Sequence, residues 1–262
     1  SRFPLLPAAL RPARGAGEIL DAGCGTGQLT LELAATYAHT SYTAMDLSRR
    51  ALAYAQRKCA EAGVDGIRFL QGDILQLAGT ELRFDLVNAI GLLHHLADPM
   101  AGWRALTGAT RPGGVQRIGL YSRLGRTPVA TARRVLADLV PAQPDDAALR
   151  AARPRLVEAV DAETRAVITR APDFFALGTL RDMLLHVQEH VFDLTAVATM
   201  LSVQELDFLG FDLPDPSLYA AYAAFAPHDP QMRDLESWAR FEAENPSTFR
   251  GMYVFWARKR DG

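Results

Sequence analysis

The sequence predicts an α/β protein, a doubly wound, mostly parallel seven-stranded sheet with a helical insertion after the fifth strand. Three observations carry that expectation. From Glu18 onward, short apolar runs of strand length alternate with stretches of helical spacing, as βαβ units with right-handed crossovers require. A glycine-rich turn, Gly23-Cys24-Gly25-Thr26-Gly27, falls between the first strand and the first helix, where open sheets of this kind bind ligands. After Tyr121 the alternation gives way to a long Ala-, Leu- and Arg-rich tract and resumes near Leu194.

Taken in order, residues 18–21 read as the first strand and 29–37 as the first helix. Residues 42–45 form a second strand, and Ser48 can cap a helix that runs to about Ala62 and stops at Gly63, where a left-handed residue is easily accommodated. Residues 67–70 make the third strand. The fourth, 84–90, is mostly apolar, as a strand covered on both faces should be. A helix over 100–110 ends at Arg111-Pro112-Gly113-Gly114, and 115–121 is the fifth strand. The tract 126–190 shows helical spacing with breaks expected near Pro141 to Pro144, Pro154 and Pro172. A helix at 194–201, a strand at 206–211, a helix around 231–244 and a strand at 252–257 close the chain. The expected division is a lead-in over 1–17, a core over 18–122, a helical insertion over 123–190 and the C-terminal part of the sheet over 191–262.

Composition narrows the partners. The 262 residues carry 28 Lys and Arg against 30 Asp and Glu, a formal charge of -2, so no basic excess is available for a nucleic-acid backbone and such a partner is disfavoured. No apolar run approaches the roughly 18–20 residues that span a bilayer, so no membrane partner is expected. Pro4, Pro7 and Pro12 break the opening segment, which lacks the continuous apolar stretch of a signal peptide. Ser1 rather than methionine begins the chain, which leaves room for an upstream segment. Two cysteines, Cys24 and Cys59, make no disulfide framework and suggest a reduced, cytoplasmic protein. Oligomeric state is not legible.

The glycine turn lets backbone approach a ligand closely, and free N–H groups at the helix start favour a carboxylate or phosphate. Alone it would serve a dinucleotide, a phosphate or S-adenosylmethionine. Its surroundings narrow the choice. The second strand ends in Asp46, about 20 residues past the loop, where a carboxylate can accept both hydroxyls of a ribose. The third ends in Gly72-Asp73-Ile74, within reach of an adenine, and the fourth in Asn88-Ala89-Ile90-Gly91. All four strand ends converge on one crevice. The dinucleotide pattern G-x-G-x-x-G is absent: its third glycine would fall on Gln28 or Thr30.

The segment 18–27 resembles the first motif of class I S-adenosylmethionine (SAM)-dependent methyltransferases. Asp46, Asp73, the Phe84-Asp85-Leu86-Val87 strand and the Arg111-Pro112-Gly113-Gly114 turn resemble the later motifs in order and spacing. The resemblance implies a Rossmann-like methyltransferase fold, SAM as cofactor and S-adenosylhomocysteine as product. It implies that Asp21, Ala22, Gly23, Cys24, Gly25, Thr26 and Gly27 surround the methionine end. Asp46 and Leu47 would hold the ribose, and Gly72, Asp73 and Ile74 the adenine, with Ala89 and Ile90 alongside. Asp21 would reach the amino group through water. Cys24 is a small space-filler in this reading, since the transfer needs no covalent intermediate. Gly119-Leu120-Tyr121-Ser122, the run 181–190 and Asn245-Pro246-Ser247-Thr248-Phe249 further resemble a bacterial group of methyltransferases found behind tetratricopeptide repeats.

The methyl acceptor is not named by the sequence. Gly91-Leu92-Leu93-His94-His95-Leu96 resembles the histidine pair of small-molecule methyltransferases, and a base near neutral pKa suits an oxygen or nitrogen acceptor. His94, His95 and Tyr121, which closes the fifth strand, are the catalytic candidates, each with packing as the plainer alternative. The insertion is expected to form a lid on the acceptor side, with Phe174, Phe175, His186, Glu189 and His190 facing inward. His186 to His190 also matches H-x-x-E-H, which on a helix would put two imidazoles on one face for zinc. No third ligand is evident, and no metal is expected. The arginines from Arg123 to Arg134 and from Arg150 to Arg170 read as a solvated face. The main rival is a SAM-binding module without transfer activity, serving regulation or assembly. A nicotinamide-dependent reductase would share the fold but would need the dinucleotide glycine spacing, which the sequence lacks.

Overall fold

A computed structural model describes residues 17–36 and 40–261. The expected lead-in, apart from Gly17, and the last residue assigned to the first helix, Tyr37, lie outside that range. Seven strands form one sheet in the order β3-β2-β1-β4-β5-β7-β6: β1 Glu18–Ala22, β2 Ser41–Asp46, β3 Ile67–Gln71, β4 Phe84–Ala89, β5 Thr110–Tyr121, β6 Leu206–Phe211 and β7 Met252–Lys259. The first five are parallel and β7 runs antiparallel between β5 and β6. The order reverses between β1 and β4, so the crevice at the carboxyl ends of these strands is the switch point where open sheets take ligands.

Helices α1 Gln28–Thr36, α2 Arg49–Glu61 and α3 Pro99–Ala109 connect the parallel strands. Their starts follow local chemistry. Ser48 accepts from the Ala51 amide at the head of α2, and Asp98 from that of Ala101 at the head of α3, each satisfying an N–H that the helix leaves open. The main core lies between the sheet and α3, α8 Leu194–Val203 and α10 Leu235–Glu244, around Trp103, Trp238, Phe255 and Tyr253.

Four helices follow β5: α4 Thr127–Leu139, α5 Asp146–Ala159, α6 Ala162–Arg170 and α7 Leu177–Leu185. They close around an apolar interior of their own that includes Leu136, Leu149, Leu156, Ile168, Phe174 and Leu184. The expected breaks near Pro141 to Pro144 and at Pro172 occur, but Pro154 does not interrupt anything. It lies inside α5 on an exposed face, so the carbonyl it leaves unbonded meets water. Three further expectations need correction. β5 begins at Thr110, with an irregular register opposite Phe84 to Leu86, so the Arg111 to Gly114 turn lies inside the strand's start. A helix expected from about Gln231 begins at Leu235. The stretch after β6, given no element by its periodicity, forms a helix, α9 Ser217–Phe225.

The run His186 to His190 is not helical. α7 ends at Leu185, and the chain continues extended back to the sheet. The Phe192 amide donates to the Tyr121 carbonyl at 2.8 Å, the Arg123 amide to the Phe192 carbonyl at 2.7 Å, and the His190 amide to the His94 carbonyl at 2.8 Å. The zinc-peptidase reading needed a shared helical face for the two imidazoles, and that face does not exist.

Candidate functional site

The loop after β1 folds over the end of β2. The amides of Gly23 and Cys24 both donate to the Met45 carbonyl, at 2.8 and 3.0 Å, and that of Gly27 to the Cys24 carbonyl at 2.9 Å. Gly27 has φ +84°, and a Cβ there would come within 2.7 Å of the Ala55 Cβ on α2, so glycine is needed for both conformation and packing. Gly25, at φ +52°, is different: a Cβ there would meet nothing within 4 Å. The space beside it is open, so this turn of the loop leaves backbone that a ligand can approach closely, an open glycine cradle.

Asp46 closes this cradle. One carboxylate oxygen accepts from the Gly25 amide and the other from the Ser48 amide, each at 2.8 Å. Leu47 beside it is 70% exposed. At the end of the neighbouring strand β3, Gly72 donates from its amide to the Asp46 carbonyl at 3.1 Å, and Asp73 caps a short 3-10 turn, Ile74–Gly79, by accepting from the Leu75 amide at 2.9 Å. Ile74 is buried in the core whereas Leu75 is exposed.

At the centre of the switch point Asp21 is buried and accepts from the Thr30 hydroxyl at 2.6 Å and from the Asn88 amide at 2.7 Å. The pairing of β1 with β4 places Asp21 beside Asn88. Burial pushes the Asp21 carboxyl above its ordinary value, against the pull of both hydrogen bonds and of Arg117. The Asn88 Oδ1 atom is buried without a partner, an acceptor held at the ligand end of β4, beside buried Ala89 and half-buried Ile90. Cys24 is buried too; desolvation first, then the charges of Asp21 and Asp46, push its thiol up to about 12. It stays protonated, as a space-filling role requires and a nucleophile's does not. An open glycine cradle, an unpaired buried acceptor and two exposed-edge carboxylates fit an adenosyl cofactor with an amino-acid end.

The second half of the site lies past β4 and β5. His94 is wholly buried, stacks on Tyr121 with ring centroids 3.6 Å apart, and meets His95 at 4.4 Å. Neither of its ring nitrogens completes a hydrogen bond. Desolvation, then the neighbouring His95, lowers its pKa to about 3, with the Gly119 backbone acting the other way. His94 is therefore neutral at physiological pH. His95 is half-buried and also held below its ordinary value, chiefly by burial. Tyr121 is pushed up by burial, so its phenol stays protonated.

The returning segment 186–192 covers these rings. His186 lies 4.0 Å from His95 between centroids. Glu189 accepts from Arg126 at 2.8 and 3.0 Å and from Arg133 at 2.5 Å, and the Arg126 guanidinium sits 3.9 Å over the Tyr121 ring. Arg126 and Arg133 are thus drawn inward, contrary to the solvated face expected for them, because the Glu189 carboxylate and the Tyr121 ring replace their water. The His190 Nε2 atom is buried without a partner.

The expected lid residues therefore divide. His186, Glu189 and His190 sit by the histidine pair. Phe174 belongs to the interior of the insertion, and Phe175 is 64% exposed. Thr30, Arg126 and Arg133 were missed as site residues. Thr30 faces Asp21 one α1 turn after the loop, and an arginine pair, Arg126 just before α4 and Arg133 on it, opposite an isolated glutamate was the available signal for the others. Among the described residues no group of three or more His, Cys, Asp or Glu could hold a metal ion, and no helix is long and apolar enough to cross a membrane.

Residues 19–114 match the family model of a methyltransferase domain. A protein of Synechococcus sp. is 31% identical over 239 residues, 88% of this chain and 57% of its own length. Trans-aconitate 2-methyltransferase of Deinococcus radiodurans is 36% identical over 42% of this chain and 40% of its own. Among solved structures, PKMT2 of Rickettsia typhi in complex with AdoHcy shares the fold over 96% of this chain and 51% of that one, with a TM-score of 0.72 at 14% identity. The chain spans about half the length of the curated relatives it matches.

Proposed function

We propose, on the premise that residues 19–114 are a methyltransferase domain of the class I SAM-dependent kind, that this chain transfers a methyl group from SAM to an acceptor seated against the ends of β4 and β5. The cofactor is SAM and its product S-adenosylhomocysteine. The observation that carries the reading is the convergence of the Gly25 cradle, Asp46, Asp73 and the unpaired Asn88 Oδ1 on one crevice at the switch point.

In this reading Asp46 holds the ribose with the lone pairs its two backbone bonds leave free. Asp73 and the exposed Leu47 and Leu75 frame the adenine. Asp21 works from below: tied to Thr30 and Asn88, it sets the amide of Asn88 so that Oδ1 points to the methionine end. SAM supplies an electrophilic methyl group; the protein's part is alignment, exclusion of water and a place for the acceptor's proton. His95, neutral and half-exposed, is the better proton acceptor of the pair. His94 and Tyr121 form the floor beneath it. The insertion and its returning segment shape the acceptor side, and the acceptor is a small molecule or a peptide or protein. The kinship with methyltransferases fused to tetratricopeptide repeats belongs to this proposal as well.

Thermal unfolding tests the cofactor. SAM and S-adenosylhomocysteine at 100 times their dissociation constants should each stabilise the fold by about 2.7 kcal/mol, while NAD and ATP should leave Tm unchanged. Stabilisation by NAD alone would overturn the reading. Acceptor-dependent release of S-adenosylhomocysteine then separates an enzyme from a binding module.

A further inference from the structure

One peptide unit of the returning segment lies between two histidines. The Gln188 amide donates to Nδ1 of His186 at 3.2 Å, and the Gln188 carbonyl lies 3.3 Å from Nδ1 of His95. A backbone amide only donates and a carbonyl only accepts. Nδ1 of His186 is therefore bare, and Nδ1 of His95 carries its hydrogen. In a neutral imidazole the second nitrogen has the opposite character, so Nε2 of His186 is a donor and Nε2 of His95 a free lone pair. Burial, then the neighbouring His186 and Arg126, holds the His95 pKa below its ordinary value, against the Gln188 carbonyl and Glu189. The two rings face each other with centroids 4.0 Å apart, and the Glu189 carboxylate, bonded to Arg126 and Arg133, anchors the segment that carries Gln188.

We propose that His95 and His186 act as an acceptor–donor pair on one group of the methyl acceptor, His95 through its bare Nε2 and His186 through its Nε2–H, with the Gln188 backbone as the positioning group that sets both. This rests on the methyltransferase reading and adds a recognition residue, His186, and a chemical class. The group that matches the pair is an un-ionised hydroxyl. Its hydrogen goes to His95, one lone pair accepts from His186, and a second lone pair remains for the methyl carbon. A neutral amine has a single lone pair, which His186 would occupy; a carboxylate has no hydrogen for His95. In the transfer the hydroxyl oxygen bonds to the methyl carbon and its proton moves to Nε2 of His95. The sulfur keeps the electron pair of the broken carbon–sulfur bond, as the neutral thioether of S-adenosylhomocysteine.

Nitrogen-15 NMR of the full chain labelled at its six histidines reads these tautomers directly at neutral pH without ligand, with His95→Gln and His186→Gln assigning the two rings by loss of their signals. The expected result is a protonated Nδ1 and bare Nε2 for His95, and the reverse for His186. Gln188→Pro removes the amide and keeps the carbonyl, so it should move the His186 signals and spare those of His95. A bare Nδ1 on His95, the same tautomer on both rings, or an imidazolium at either would overturn the pair and the hydroxyl with it. Such a failure would leave SAM-induced stabilisation intact, whereas loss of that stabilisation with the tautomers as expected would strike the methyltransferase reading instead.

Discussion

The carboxylate of Asp46 already spends one lone pair on each oxygen, on the amides of Gly25 and Ser48, and this arrangement leaves the outer lone pairs aimed at the cradle. A ribose held there would form charge-assisted bonds, each worth about 1.5–3 kcal/mol. Asp46→Ala should therefore weaken SAM binding by about that amount, roughly ten- to a hundredfold by isothermal titration. An unchanged affinity would reduce Asp46 to a brace for the loop. Asp46, Asp73 and the glycines were legible because chain position alone puts them at strand ends of one edge. The hydrogen bonds among Asp21, Thr30 and Asn88 were not. They depend on β1 lying beside β4 in a register that sets Asp21 against Asn88, and no local pattern carries strand order.

At the scale of elements, the strands of the parallel half and their helices followed from hydrophobic period and caps, whereas the insertion's exit did not. H-x-x-E-H has the period of a helix face, and nothing within those five residues says that α7 stops at Leu185. What extends the segment is tertiary: its amides and carbonyls find partners on His94, Tyr121 and Arg123, and Glu189 finds two arginines. α9 was missed for a related reason, since Leu218, Tyr222 and Phe225 share a helical face too sparse to stand out before the core they contact is known. The Glu189 contacts give the segment its own test. The Glu189 side chain is 8% exposed and that of Arg126 11%, with Arg133 at 24%, and removing one partner of such a group leaves uncompensated buried charge, at about 3–5 kcal/mol. Glu189→Ala should lower stability by that order in urea titration and speed amide exchange at His190 and Phe192 while sparing β1 and β2. A cost below about 1 kcal/mol with exchange unaltered would show that the segment holds itself in place without the carboxylate.

Across the whole molecule, the insertion leaves the sheet and the C-terminal strands re-enter it at one buried carboxylate. Glu242, on α10, accepts from the hydroxyl of Ser122 at the end of β5 and from that of Tyr253 on β7, both at 2.6 Å. The Ser122 oxygen in turn accepts from the Gly125 amide at 2.9 Å, so the chain's departure toward the insertion is tied to the back of the sheet. Burial raises the Glu242 pKa above its ordinary 4.5, opposed by the two hydroxyl bonds and aided by Asp193. The sign of the linkage follows. A carboxyl that binds its proton more tightly when folded adds stability that is complete below about pH 4.5 and is lost as pH rises through its folded pKa, at about 1.4 kcal/mol for each tenfold gain in proton affinity. Glutamine keeps an acceptor and a donor for the two hydroxyls without a charge to desolvate. Glu242→Gln should accordingly gain on the parent protein as pH rises above about 4.5, and the gain, measured as the difference in unfolding free energy between the two proteins at each pH, should grow until pH passes the folded pKa and then level. A difference that stays constant with pH would mean that Glu242 ionises in the folded protein as freely as it does in the unfolded chain, and that the junction is held by packing around Trp238 and Tyr253 rather than by a proton kept on a buried carboxylate.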